Sequence, residues 1–164
     1  MPAEHTVDVR VAFVGRREEL KQLIGAVEGG KTITLVGTGG VGKSRLALEA
    51  VERWERATGG RSAFVSLAQV PPESVADAIA RALDVAEEPN RSVIDTVVDA
   101  LAGTPHTIVL DNCEHAAAEV ASAVERLRKI PGVAVVATSR SRLGLADEFV
   151  LPVTPFDARD GSAF

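Results

Sequence analysis

Eight consecutive residues, Gly37-Thr38-Gly39-Gly40-Val41-Gly42-Lys43-Ser44, place the tightest limit on what this chain can become. They satisfy G-x-x-x-x-G-K-[ST]. They also lie between a short β-branched run, Thr32 to Val36, and an amphipathic stretch over residues 43–57. A strand that turns through glycines into a helix collects main-chain N–H groups at the positive end of the helix dipole, which suits an oxyanion. Without Cβ atoms, the backbone can close around a phosphate. Lys43 then supplies a point charge for the β- and γ-phosphate oxygens, and the Ser44 hydroxyl is placed to ligate Mg²⁺. The competing reading is a glycine-rich turn that caps a helix and binds nothing; the strand before it and the helix after it favour the cradle.

The rest of the chain repeats that alternation. Leu20, Leu23, Ile24 and Val27 form one stripe of a helix over 17–28, which Gly29-Gly30 stops. Leu46, Ala47, Ala50, Val51 and Trp54 share a face of the helix after the loop. Strands are predicted at Ser62 to Leu67, Thr107 to Leu110, Val133 to Ala137 and Phe149 to Val153. Pro71-Pro72 opens a helix bearing Val75, Ala78, Ile79, Ala82 and Leu83. Ser92-Val93-Ile94-Asp95 resembles a capping box ahead of a second helix, so two helices lie in that crossover. A further helix is expected over 114–129. Continuous apolar runs, each followed by a helix, predict a five-stranded, mainly parallel sheet covered on both faces, a three-layer α/β P-loop NTPase domain over residues 1–164.

In a parallel sheet the strand ends share one edge, so Asp111, closing the apolar run Thr107 to Leu110, arrives beside the glycine loop, where it can hold a Mg²⁺ water. Asp is also a common helix cap, which is the alternative. The next residues are Asn112, Cys113, Glu114 and His115. Asn112 can orient water but is a poor base. Glu114 either faces the phosphate or occupies the first turn of its helix, where acids are favoured. Thr138-Ser139-Arg140 follows the fourth run and delivers a guanidinium to the same edge, able to report a γ-phosphate; the alternative is a surface arginine in a polar loop. Arg142, before Leu143-Gly144-Leu145, is the weaker candidate.

Composition excludes several function classes. One cysteine, Cys113, rules out an internal disulfide framework and leaves too few thiols for a structural zinc site. A net charge of −5 argues against a broad electrostatic grip on nucleic acid or anionic lipid. No run of about 18 apolar residues suggests a membrane span, and Met1 to Arg10 lacks the apolar core of a signal peptide; a cytoplasmic chain is expected. His5, His106 and His115 read as solvated or capping residues, Cys113 as packing, and Trp54 as core.

Phe13-Val14-Gly15-Arg16-Arg17-Glu18-Glu19-Leu20, the glycine loop with Arg45-Leu46-Ala47, Ile108 to His115, and Thr138 to Leu143 together resemble the nucleotide-binding core of STAND/NB-ARC signalling ATPases. The likeness is greatest to the ATPase modules of large bacterial transcriptional regulators of the antibiotic regulatory and LuxR types. It implies ATP or ADP with Mg²⁺ as cofactors. The Val14 backbone would lie near adenine, with Gly15 and Arg16 beside it. Gly37, Thr38, Gly39, Gly40, Val41, Gly42, Lys43, Ser44 and Arg45 would line the phosphates. Lys43, Ser44 and Asp111 would serve phosphate and metal, with Lys43 and Asp111 counted among the catalytic residues, and Arg140 would be the sensor. Asn112 and Glu114 are catalytic candidates from their positions after Asp111 alone.

The resemblance also implies a helical lid, a winged-helix domain and an effector domain as neighbours, none of them expected within the 164 residues, and nucleotide-dependent self-association. Asn112 stands where a second acid is often found in that class, so slow turnover is expected. The leading expectation is thus an ATP/ADP switch in bacterial signalling or transcription control. A phosphotransferase would need an acceptor pocket and an arginine-bearing lid. A mechanical AAA+-like ATPase would want an acid after Asp111, and a GTPase would want an Asn-Lys-x-Asp sequence; the chain has neither.

Overall fold

Apolar runs of four to seven residues without helical period can bury themselves only inside a sheet with a helical layer on each face, and the chain builds such a sheet. The computed structural model describes residues 16–155. In chain order the elements are α1 (Arg17–Glu28), β1 (Thr32–Val36), α2 (Lys43–Thr58), β2 (Arg61–Ser66), α3 (Val75–Ala82), α4 (Val93–Leu101), β3 (His106–Asp111), α5 (Ala117–Leu127), β4 (Val133–Ser139) and β5 (Phe149–Pro152). Short 3₁₀ turns at Pro72–Ser74 and Glu114–Ala116 lead into α3 and α5.

The sheet order is β2-β3-β4-β1-β5, and every pairing is parallel. Side chains alternate between faces along each strand. Val133, Val135 and Ala137 of β4, with Ile108 and Leu110 of β3, pack against Val75, Ile79, Val97, Leu101, Val120 and Val124 from α3, α4 and α5. Ala134 and Val136 of β4, Val109 of β3, and Ile33 and Leu35 of β1 meet Leu20, Leu23, Leu46, Ala50 and Trp54 from α1 and α2 on the other face. All seven residues of β4 are buried. That makes it the strand with most to lose from any polar atom left unpaired.

Register brings the C-terminal ends together: Val36 lies opposite Ser139, Leu35 opposite Thr138, and Leu110 opposite Ala137. After β1 the chain crosses to the distant edge at β2, whereas β4 is reached from β3 next to it. Reversal of direction between β1 and β4 is the switch point at which open α/β sheets form a crevice.

Element boundaries differ from expectation in several places. The helix expected to open at Pro71-Pro72 begins as a 3₁₀ turn and is regular only from Val75 to Ala82. The third strand spans His106–Asp111, and the fourth runs on to Ser139. The second strand is displaced by one residue at each end, to Arg61–Ser66, because it follows β3 in register from Arg61 opposite His106. The stretch expected as one helix over 114–129 divides. A 3₁₀ turn comes first, since Ala116, at φ −132° and ψ 33°, leaves the helical region. The regular helix then ends at Leu127, ahead of Pro131-Gly132. Ser92 does cap α4, its Oγ accepting the Asp95 N–H at 3.3 Å.

Candidate functional site

Gly37 leaves β1 by donating its N–H to the Ser139 carbonyl at 3.2 Å, which pins the start of the loop to β4. A Cβ on Gly37 would sit 2.4 Å from the Val153 carbonyl oxygen, so only glycine fits there. Gly40 and Gly42 have φ of 80° and 95°, a region that L side chains avoid. Among the described residues, the N–H groups of Gly39 to Ser44 find no backbone acceptor. They gather at the N-terminus of α2, whose first turn carries no acidic residue. The positive end of a 16-residue helix is therefore left without a negative partner of its own.

Lys43 adds a full charge. Its side chain folds back under the loop, where Nζ donates to the Gly37 carbonyl at 2.7 Å and the Thr38 carbonyl at 2.9 Å. The residue is buried, and among the described residues no carboxylate pairs with it. A buried ammonium held only by neutral carbonyls, beside uncompensated amides, makes the loop a cationic concavity.

Asp111 ends β3 within reach of that concavity. The Ser44 hydroxyl donates to its Oδ1 at 2.6 Å, joining the loop to the third strand. The Thr138 hydroxyl donates to the same oxygen at 2.7 Å, and Asn112 Nδ2 donates to Oδ2 at 3.0 Å. Asp111 is thus buried, yet its carboxylate takes three hydrogen bonds. The Asn112 amide is committed to this carboxylate, and its backbone adopts φ 60°.

Arg140 follows β4 and turns back over the loop: a Cβ placed on Gly39 would come 3.3 Å from its Nη2. Its Nε lies 3.7 Å from Glu114 Oε1, a loose ion pair with the Arg140 side chain 69% exposed. The other Glu114 oxygen, Oε2, is buried and, among the described residues, has no hydrogen-bond partner. Glu114 itself opens the 3₁₀ turn before α5 rather than a regular helical turn.

Arg16 stands at the N-cap of α1, and its guanidinium is buried. Nη2 donates to the Val41 carbonyl of the loop at 2.6 Å and to the Thr154 carbonyl beyond β5 at 2.8 Å. One side chain thus fastens the first helix, the glycine loop and the end of the sheet's edge strand. Val14 and Gly15 lie outside the described residues. Thr38, Gly39, Gly40 and Arg45 are exposed, while Val41 packs partly against the core.

Cys113 is fully buried, its Sγ hydrogen-bonding the Leu110 carbonyl at 3.2 Å. Burial, with the Glu114 and Asp111 charges, pushes its thiol up to about 12, far from a reactive thiolate. His106 Nδ1 lies 2.9 Å from the Thr104 carbonyl, a local contact, whereas His115 Nε2 lies 2.9 Å from the Val70 carbonyl, 45 positions earlier in the chain. No helix among the described residues is long and apolar enough to cross a membrane.

The motif residues Lys43, Ser44, Asp111 and Arg140 converge on one edge of the sheet. Sequence reasoning overlooked Thr138. Its signal was faint: a hydroxyl at the close of an otherwise apolar run.

No family model matches the sequence. A protein of Mycobacterium bovis described as a candidate HTH-type transcriptional regulator is 37% identical over 132 residues, covering 79% of this chain and 15% of its own length. A second M. bovis protein, of uncharacterised function, is 32% identical over 146 residues, covering 88% of the chain and 37% of its own length. The chain therefore spans well under half of each relative. Among solved structures it resembles Cdc6p from Pyrobaculum aerophilum, with a TM-score of 0.70 at 19% identity over 88% of this chain and 46% of the other. It also resembles ORC2 of Aeropyrum pernix, with 0.65 at 15% identity over 88% and 49%. A STAND protein with a tetratricopeptide-repeat sensor from Pyrococcus horikoshii scores 0.52 at 16% identity over 85% and 23%. At these identities the likeness speaks to architecture, and with the sheet order above it establishes a three-layer α/β P-loop NTPase fold.

Proposed function

We propose that this domain binds an adenine nucleotide with Mg²⁺ and acts as an ATP/ADP switch of the STAND/NB-ARC kind within a regulatory protein. The observation that carries the reading is the Ser44 to Asp111 hydrogen bond, which holds hydroxyl and carboxylate side by side next to an unpaired buried ammonium. A hydroxyl and a carboxylate are hard oxygen donors of the type Mg²⁺ prefers, and the acid-free first turn of α2 suits a polyphosphate. Held by Ser44 and Asp111, the ion would supply positive charge to the phosphates.

The chain's own residues divide the remaining work. Lys43 exchanges two carbonyl partners for phosphate oxygens, Ser44 and Asp111 orient the metal's ligand shell, and Arg140 is near enough to the loop to exchange Glu114 for a γ-phosphate. That exchange would differ between ATP and ADP, which is what a switch requires. Hydrolysis is slow in this reading: Asn112, next to Asp111, stands where a second acid would activate water, and it spends its amide on that carboxylate. Regulation of transcription is supported by the relative described as an HTH-type regulator, and adjacent lid, winged-helix and effector domains belong to the same proposal through the STAND/NB-ARC resemblance. With a net charge of −5 the domain is assigned no grip of its own on nucleic acid.

Thermal shift with ATP, ADP and GTP, each with Mg²⁺, tests base choice and binding together. A ligand at 100 times its dissociation constant should raise stability by about 2.7 kcal/mol. Adenine nucleotides should do so and GTP should not; equal shifts with all three would remove the adenine assignment.

A further inference from the structure

We infer that Thr138 is a positioning residue for Asp111, fixing which carboxylate oxygen stays open to the hydrated cation; this rests on the reading of Asp111 as the metal-side acid. Thr138 is fully buried near the end of β4, opposite Leu35 of β1. Its Oγ1 accepts the Asn112 backbone N–H at 2.9 Å and lies 2.7 Å from Asp111 Oδ1. A hydroxyl has a single proton. With the Asn112 N–H pointing at its oxygen, that proton goes to Asp111. The polarity of the chain of bonds is thereby set: amide to hydroxyl to carboxylate.

Consequences follow for the two oxygens. Oδ1 receives both Thr138 and Ser44, which fills its two lone-pair directions. Oδ2 receives only Asn112 Nδ2, so among the described residues one lone pair there stays open. The Thr138 carbonyl also accepts the Cys113 N–H at 2.9 Å. One residue thus holds the turn after β3 by both its backbone and its side chain, including Asn112 in its left-handed conformation at φ 60°. Without the hydroxyl, Asp111 is freer to rotate about its side-chain torsions and the Asn112 N–H loses its acceptor.

Thr138→Val keeps the shape and the β-branch while removing the bonds. ADP affinity is measured by calorimetry on the 164-residue chain with Mg²⁺ and again with chelator. In Thr138→Val the affinity gained from Mg²⁺ should fall about tenfold, the scale of one charge-assisted hydrogen bond. Affinity in chelator should stay within about twofold, and Thr138→Ser should recover the gain. An equal loss with and without Mg²⁺, no loss at all, or a Thr138→Val chain that fails to fold while Thr138→Ser folds would each overturn the inference, the last by assigning the hydroxyl to the fold.

A crystal structure of nucleotide-free Thr138→Val provides a test independent of ligand. The Asp111 carboxylate should turn away from its wild-type rotamer, and an unmoved carboxylate contradicts the inference. Absence of ADP binding by the wild-type chain, with a carboxylate that does turn in the variant, would instead sink the nucleotide reading and leave the positioning role standing.

Discussion

Two stretches of β4 are buried equally and do opposite things. From Val133 to Ala137 the strand presents only hydrocarbon, alternately to the helices on either face. At Thr138 and Ser139 it is just as inaccessible, yet both side chains are polar. The first stretch is stabilised by area removed from water, about 25 cal/mol per Å². The second is tolerated because its hydroxyls have partners: Thr138 bonds Asn112 and Asp111, and Ser139 Oγ accepts the Ser141 N–H at 3.3 Å. Burial without hydrogen bonds is a packing problem; burial with them is a positioning device. The boundary falls where the strand reaches the edge that carries the loop.

If that division is right, damage to the two regions should separate stability from binding. Leu46, fully buried on α2 against the sheet, carries the largest expected effect. Leu46→Ala should cost about 3 kcal/mol in denaturant unfolding by loss of transfer energy and by the cavity left behind. A cost below about 1 kcal/mol would mean that this face of the core is less closely packed than β4 requires.

Arg16 lies on the border between the regions, a polar residue that works structurally. Arg16→Met keeps the aliphatic stem but leaves the Val41 and Thr154 carbonyls without their donor. About 1 to 3 kcal/mol should be lost. The P-loop should also become more open to amide hydrogen exchange, because its carbonyl tether to α1 is gone. Unchanged exchange over residues 37–43 would move Arg16 out of the site's framework.

Arg140 marks the small end of the series. It is largely exposed and its ion pair with Glu114 is loose, so Arg140→Ala should shift unfolding by no more than about 0.5 kcal/mol. The same substitution should narrow the difference between ATP and ADP affinity. A variant that binds both nucleotides with the wild-type ratio would make Arg140 a surface residue near the loop and no more.

The sequence disclosed most of what depends on local pattern. Thr32 to Val36, the helix over 17–28 and the Ser92 cap are legible because periodicity, glycine stops and a capping serine act over a few residues. Asp111 was legible through a topological rule, that parallel strands end on one side. What stayed hidden depends on register. Nothing within Val133 to Arg140 says that Thr138 will face Asp111, since the residues are 27 apart and meet only when β3 and β4 align. The Arg16 bond to Thr154 spans 138 positions for the same reason. The 3₁₀ turn at Glu114–Ala116 escaped notice because Ala116 and its neighbours are good helix formers whose local preference yields to the anchored turn at Cys113.

Everything functional turns on whether the cationic loop takes up a polyphosphate. Calorimetric titration of the 164-residue chain with Mg²⁺ and ADP, run beside Lys43→Ala, puts that to the question. The wild type should give saturable heat at one site per chain, and the variant should give none while unfolding within about 1 kcal/mol of the wild type. Identical titrations for the two proteins, or no heat from the wild type at millimolar nucleotide, would show that the ammonium and the amides around it serve only to close a turn.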